Sequence, residues 1–176
     1  MSPVQTRPDR GEFADYYQTY VGKVPDGDIL ATLDAQTRAV LALLDAVSEE
    51  QGRHRYADGK WTLKEVLSHI NDTERVFVGR ALWFARRFEA PLPGFDQDVA
   101  VAHAGANDRP WRSHVEEFAA IRASTLAFFR SVPGDAWLCR GTASDNPFTV
   151  RALAWIVAGH VAHHLDIIRE RYLGPG

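Results

Sequence analysis

Residues 149–167 read TVRALAWIVAGHVAHHLDI, and the spacing of apolar positions in this stretch decides the fold class. In steps of four and three, Leu153, Val157, His160, His164 and Ile167 fall on one face of a helix. The helix starts near Thr149 and stops at Gly174-Pro175-Gly176. It is the most apolar segment of the chain, and two histidines sit inside its core stripe. At i and i+4 their Cβ atoms stand about 5–6 Å apart on one face. Two imidazoles so placed can chelate one ion, as in the helical His-x-x-x-His element of zinc proteases. His163, at i+3 from His160, is the rival second ligand.

Working outward, three more helical patterns appear. Thr62-Leu63-Lys64-Glu65 is a capping box, and the helix it opens runs to about Phe88, ahead of Pro91. Its apolar stripe is Leu63, Val66, Leu67, Ile70, Phe77, Phe84 and Phe88. An earlier helix runs from about Ile29 to Val47, capped by Asp28, with Leu30, Leu33, Val40, Leu44 and Val47 inward. A third spans about Trp111 to Val132, with Pro110 at its first turn and Pro133-Gly134 at its end; Val115, Phe118, Ile121, Phe128, Phe129 and Val132 face inward. Asp135 to Leu138 adds one turn. No sustained period-2 alternation marks a strand. The chain therefore reads as all-α, a four-helix bundle forming a single domain over residues 1–176. Residues 89–109, with Pro91, Pro93, Gly94 and Gly105, make a long connection between helices two and three. Such a loop is functional or crosses the end of the bundle, which would let those two helices run parallel. Residues 1–27 form an arm ending in a turn at Val24-Pro25-Asp26-Gly27. Its Phe13, Tyr16, Tyr17 and Tyr20 are too apolar for a disordered tail, and the arm is expected to pack on the bundle or to seal a dimer.

The 176 residues are 45% hydrophobic and 24% charged, as in an ordinary soluble domain. A net charge of -3 gives no nucleic-acid footprint. No apolar run is long enough to span a membrane. The N-terminal residues lack the apolar core of a secretory signal, and a single cysteine, Cys139, fits a reducing compartment. A cytoplasmic protein is expected. Cys139 has no evident base near it and reads as structural or incidental.

The second helix supplies a third histidine. Val66, His69, Thr73, Val76 and Trp83 form a stripe on or beside its apolar face, so His69 points inward. A lone inward histidine is most simply a core residue satisfied by a hydrogen bond. Three on facing core seams are a different matter, because buried imidazole nitrogens without partners are costly. Neutral imidazoles suit zinc, nickel or ferrous iron, and three protein ligands leave a position open for water or substrate.

At these residues the chain resembles the DinB/YfiT-like superfamily. The resemblance lies in Lys60 to Arg75 (KWTLKEVLSHINDTER), in Gly159 to Leu165 (GHVAHHL), in Tyr20 to Leu30 and in Pro93 to Asp98. It implies a four-helix bundle, often dimeric. It further implies a metal held by His69, His160 and His164, which favours His164 over His163. Some members are S-transferases that use a low-molecular-weight thiol such as bacillithiol or mycothiol; others are thiol-dependent isomerases or metal-dependent hydrolases.

Three activities follow as expectations. The first is thiol transfer to electrophilic small molecules in stress or detoxification, the ion stabilising the thiolate. The second is hydrolysis by metal-activated water, which needs a general base; Asp72, at i+3 from His69, and the loop residues Asp96 and Asp98 are the candidates. Asp166 is expected to face solvent. The third is metal or stress-ligand binding without catalysis. Arg80, Arg86 and Arg87 form a patch that would steer an anionic cosubstrate, or else a solvated helix end. Trp61 walls the pocket or joins the core.

Overall fold

The computed structural model describes residue 4 and residues 6–174. Residues 1–3 and 5 of the arm, and Pro175 and Gly176 of the expected helix stop, lie outside the described residues. In chain order the helices are α1 (Gln18–Val21), α2 (Ile29–Asp45), α3 (Glu49–Arg53), α4 (Leu63–Ala85), α5 (Gln97–His103), α6 (Trp111–Ser131) and α7 (Val150–Ile167). A π-helical turn, Ile168–Leu173, extends α7. Strands β1 (Arg140–Ala143) and β2 (Asn146–Thr149) pair antiparallel.

The helix starts follow from local chemistry. Asp28 accepts from the amides of Leu30 (2.8 Å) and Ala31 (3.1 Å) and opens α2. Thr62 Oγ1 accepts from the Glu65 amide at 3.2 Å, and Glu65 accepts from the Thr62 amide at 2.6 Å. Asn107 braces this capping box: its Nδ2 donates to Glu65 (2.9 Å), and its Oδ1 accepts from Thr62 Oγ1 (2.8 Å).

Helices α2, α6, α4 and α7 surround the core in that cyclic order, each packed on the next. Polar pairs fix their directions. Asn71 meets the His114 carbonyl, Arg75 meets Glu117, and Glu74 meets Arg122 and Thr125, so α4 and α6 run parallel. Leu44 meets Trp111, and Gln36 meets Arg122, so α2 and α6 are antiparallel. Two apolar clusters complete the pattern. Ile29 and Leu33 pack with the start of α7, and Val40 and Leu44 with Val161, Leu165 and Ile168, which makes α2 and α7 parallel. Residues 86–110 therefore cross the end of the bundle, as α4 and α6 require. The crossover is not bare loop, since α5 and a 3-10 turn, Ala106–Asp108, lie within it.

One polar network ties the four helices together at mid-height. The fully buried Arg122 of α6 pairs with Glu74 of α4 (Nη2 to Oε2, 2.9 Å) and donates to Gln36 of α2 (3.0 Å). Gln36 in turn donates to the Ala158 carbonyl of α7 at 2.8 Å. Thr125 Oγ1 donates to the other Glu74 oxygen at 2.6 Å.

Three expectations need correction. The fold is not wholly α-helical. The β1–β2 hairpin turns through Ser144 and Asp145, both at positive φ (51° and 60°), the two-residue geometry that matches strand twist. Each strand is only four residues long, and Ser-Asp lacks the glycine that usually announces such a turn. Helix α4 ends at Ala85, not Phe88. Arg87 adopts the left-handed conformation (φ 60°), its amide bonds the Phe84 carbonyl (2.9 Å), and the Phe88 amide bonds the Trp83 carbonyl (3.2 Å). This is a Schellman cap with arginine where glycine is usual. Phe88 is consequently half exposed and stacks on Trp83, ring centroids 4.1 Å apart, rather than entering the core.

Buried residues of the N-terminal segment, Phe13, Tyr20 and Val21, belong to the same apolar cluster as the start of α7. An ion pair pins the segment there. Glu12, almost fully buried, pairs with Arg151 and accepts from Thr149 Oγ1 at 2.6 Å. Burial pushes the Glu12 carboxyl up, but the hydrogen bonds from Arg151 and Thr149 outweigh it and leave its pKa below the ordinary 4.5. A depressed folded-state carboxylate contributes stability that is present above the unfolded value and is lost as pH falls through the folded one. Acid unfolding of the native chain is therefore expected to steepen below about pH 4.5. The decline should be shallower in Glu12→Gln, read as unfolding free energy against pH by urea titration.

Candidate metal centre

His69 lies two turns inside α4, and His160 and His164 lie one turn apart on the facing seam of α7. Antiparallel packing of these helices brings the three rings together. His160 Nε2 stands 3.1 Å from His69 Nε2 and 3.1 Å from His164 Nε2. One nitrogen from each of the three lies within 4.8 Å of the other two. A tetrahedral zinc with Zn–N bonds of about 2.0–2.1 Å has N–N edges of about 3.3 Å, close to these separations. The residues present thus fit a first-row divalent ion.

The surroundings keep the rings neutral and oriented. Burial, with a smaller contribution from His163, lowers His69 to about 4. Burial, then His69 and His163, lowers His164 to about 3. His160, buried deepest, is also pushed well down, first by burial and then by its neighbours. All three are lone-pair donors at neutral pH. Thr73 Oγ1, one turn along α4, lies 3.3 Å from His69 Nδ1. A proton held there leaves Nε2 free for a metal, the orienting role of a group behind a ligand. Tyr20 and Phe77 pack edge-on against His160, at centroid distances of 5.3 and 6.1 Å.

Tyr20 reaches this position because of Gly159. A Cβ at residue 159 would lie 2.0 Å from the Tyr20 carbonyl oxygen, so only glycine lets the backbone of α1 rest on α7. Sequence reasoning passed over this residue; its signal is a glycine beside His160 in the most apolar helix.

Two cavities flank the cluster. One, of about 170 Å³, is lined by His69 and His160 together with Tyr17, Tyr20, Arg80 and Ser144. The other, of about 330 Å³, is lined by His164 with Trp61, Tyr56, Lys60, Asp98 and Tyr172. Trp61 packs on His69 at a centroid distance of 5.1 Å and walls this second cavity.

The other sequence candidates are dispersed. His163 turns toward Tyr20, Lys23 and Asp166 and is not among the clustered ligand atoms. Asp72 pairs with Arg75 at 3.2 Å and lines neither cavity. Asp96 caps α5 by accepting from the Asp98 and Val99 amides, and it too lines neither cavity. Asp98 does face the second. Asp166, partly exposed, accepts from Lys23 at 2.7 Å. The arginine patch divides. Arg80 is buried in the first cavity wall, whereas Arg86 and Arg87 are exposed cap residues and Arg87 pairs with Asp135 at 2.7 Å. Cys139 is part-buried beside the core and lines neither cavity.

The family model described as the DinB superfamily matches residues 32–168. No curated protein matches the sequence. Among solved structures, the chain is similar to YfiT from Bacillus subtilis, described as a probable metal-dependent hydrolase with an unusual four-helix bundle topology. Identity is 14%, the TM-score is 0.65, and 93% of this chain and 89% of that one are covered. It is also similar to a mycothiol-dependent maleylpyruvate isomerase at 16% identity and TM-score 0.66, over 77% of this chain and 57% of that one. The chain thus spans little more than half the length of the isomerase. At such identities the likeness is one of fold. No helix among the described residues is long and apolar enough to cross a membrane.

Proposed function

The chain belongs to the DinB superfamily, and we propose that it is a metal-dependent enzyme that transfers a low-molecular-weight thiol, bacillithiol-like, to small electrophiles. His69, His160 and His164 are the proposed ligands, and zinc, nickel or ferrous iron the proposed ion. A divalent ion held there supplies a Lewis acid that lowers the pKa of a coordinated thiol, so that the thiolate is the nucleophile at neutral pH.

The observation that carries this reading is that three neutral imidazoles meet at one point, and that the cavity lined by two of them, His69 and His160, has no carboxylate in its wall among the described residues. Activating water calls on a general base. The wall beside His69 and His160 offers phenols, hydroxyls, an amide and a guanidinium instead. Burial, with the Tyr16 hydroxyl 3.1 Å away, raises Tyr20 above its ordinary range, so its phenol stays protonated. Such a wall can orient a ligand; among the described residues it offers no carboxylate to take up a proton.

One observation favours hydrolysis as a second reading. Asp98 lines the cavity on the His164 side, where it would serve as the base. A cytoplasmic location, a single domain, a homodimer and a role in detoxification belong to the same proposal.

The test is turnover of monochlorobimane by metal-loaded protein with bacillithiol or mycothiol. Thiol-dependent conjugation that disappears in His160→Ala is the expected result. Ester cleavage that needs no thiol and is lost in Asp98→Asn would favour hydrolysis. Retained metal with neither activity would reduce the protein to a binder.

A further inference from the structure

Four lysine and arginine side chains are buried among the described residues: Lys64, Arg80, Arg122 and Arg151. Three of them have a carboxylate partner. Lys64 pairs with Glu49, Arg122 with Glu74, and Arg151 with Glu12. Arg80 has none among the described residues. Its Nη2 donates to the Pro93 carbonyl (3.2 Å) and to Ser144 Oγ (2.8 Å), and the Tyr17 phenol stands beside it. These neutral partners hold the guanidinium in place without balancing its charge. Taking an uncompensated charge out of water is costly, and buried charges are ordinarily paired.

The unpaired charge faces the cavity that His69 and His160 also line. Arg80 is eleven residues beyond His69 on α4. Eleven residues are three turns, so both side chains leave the same face of the helix, about 16 Å apart along its axis. Phe77 lies between them and carries the guanidinium 5.8 Å over its ring.

We propose that Arg80 is the binding site for a carboxylate group of the ligand, whose other end lies at the three histidines. Pro93 and Ser144 occupy Nη2, which leaves the donors on Nε and Nη1 and the positive charge itself for a carboxylate, and Ser144 and Tyr17 place hydroxyls beside it. The substrate class is thereby narrowed to small molecules with a carboxylate several bonds from the reacting atom. The cavity is small for a ligand site, which argues for a slender chain between the two ends. This inference rests on the metal-centre reading only for what occupies the far end.

Two probes that differ at one terminus test it: 6-mercaptohexanoate and 6-mercaptohexanol, titrated calorimetrically into the protein with and without Co(II). The acid is expected to bind about tenfold tighter than the alcohol in both states, as hydrogen bonds to a charged group allow. Arg80→Met should remove the difference, and Arg80→Lys should shrink it, because a flexible ammonium replaces a guanidinium that Pro93 and Ser144 hold in place. Equal binding of acid and alcohol to the native chain would overturn the proposal, with no variant needed. So would a preference that persists in Arg80→Met. Failure of the metal reading looks different: no Co(II) is retained and neither thiol produces a charge-transfer band, while the preference for the acid remains.

Discussion

Alanine at position 164 is expected to strip the protein of its metal, whereas alanine at position 163 is expected to leave one ion per chain. The two residues are neighbours in sequence, and both are histidines within reach of a ligand pattern with His160. Their side chains nevertheless leave α7 in different directions. His164 Nε2 stands 3.1 Å from His160 Nε2, while the His163 ring packs on Tyr20 at 5.5 Å between centroids. Truncating a group behind a ligand typically costs about 10–100-fold in metal affinity. Loss of one of three ligands should exceed that, so His164→Ala is expected to fall by more than about 100-fold. Chelator competition on freshly purified protein, with elemental analysis for stoichiometry, reads the difference directly. Thermal melting of the metal-free forms provides the control, since neither substitution removes a core apolar contact. Metal retained in His164→Ala, or lost from His163→Ala, would refute the ligand set.

The elements that carry these proposed ligands were legible in sequence for identifiable reasons. The capping box at Thr62 and Glu65 and the cap at Asp28 are local chemistry, and both hydrogen-bond as their residue types require. The stripe Leu153, Val157, His160 and His164 is a periodicity, and antiparallel packing of α4 on α7 converts it into proximity. What escaped reading depends on residues far apart in sequence, or on backbone states that the residue type does not advertise. Arg87 adopts a left-handed conformation that its side chain disfavours, so α4 stops a turn early and Phe88 leaves the core. Gly141 lies against the Phe84 ring, where a Cβ would be 2.0 Å away, so the hairpin is held by α4 rather than by its own four-residue strands. Arg80 looked like one member of an arginine patch. Its burial is set by Pro93 and Ser144, thirteen and sixty-four residues away, a relation that no helical periodicity encodes.

Replacing Arg122 with methionine should cost more stability than any truncation at the surface. Arg122 is fully buried, as is its partner Glu74, and the substitution removes the cation while leaving the carboxylate in place. Glu74 would keep only the hydroxyl of Thr125. Breaking one side of a buried pair costs about 3–5 kcal/mol. Small domains have about 5–15 kcal/mol in total, so this is a large share. For a chain of this length it corresponds to a fall in Tm of about 6–20 °C. The loss should reach the metal centre as well. Without Arg122, Gln36 has one polar partner fewer, and Gln36 is the side chain that holds the Ala158 carbonyl two residues before His160. The double variant Glu74→Leu, Arg122→Met separates charge from packing. If the penalty is the orphaned carboxylate, the double variant recovers most of the stability, because an apolar pair of similar volume is often neutral in place of a buried ion pair. If the double variant is as unstable as Arg122→Met alone, the network contributes through packing and the register of the four helices. Differential scanning calorimetry of the three proteins, with metal content measured on each, decides between these outcomes.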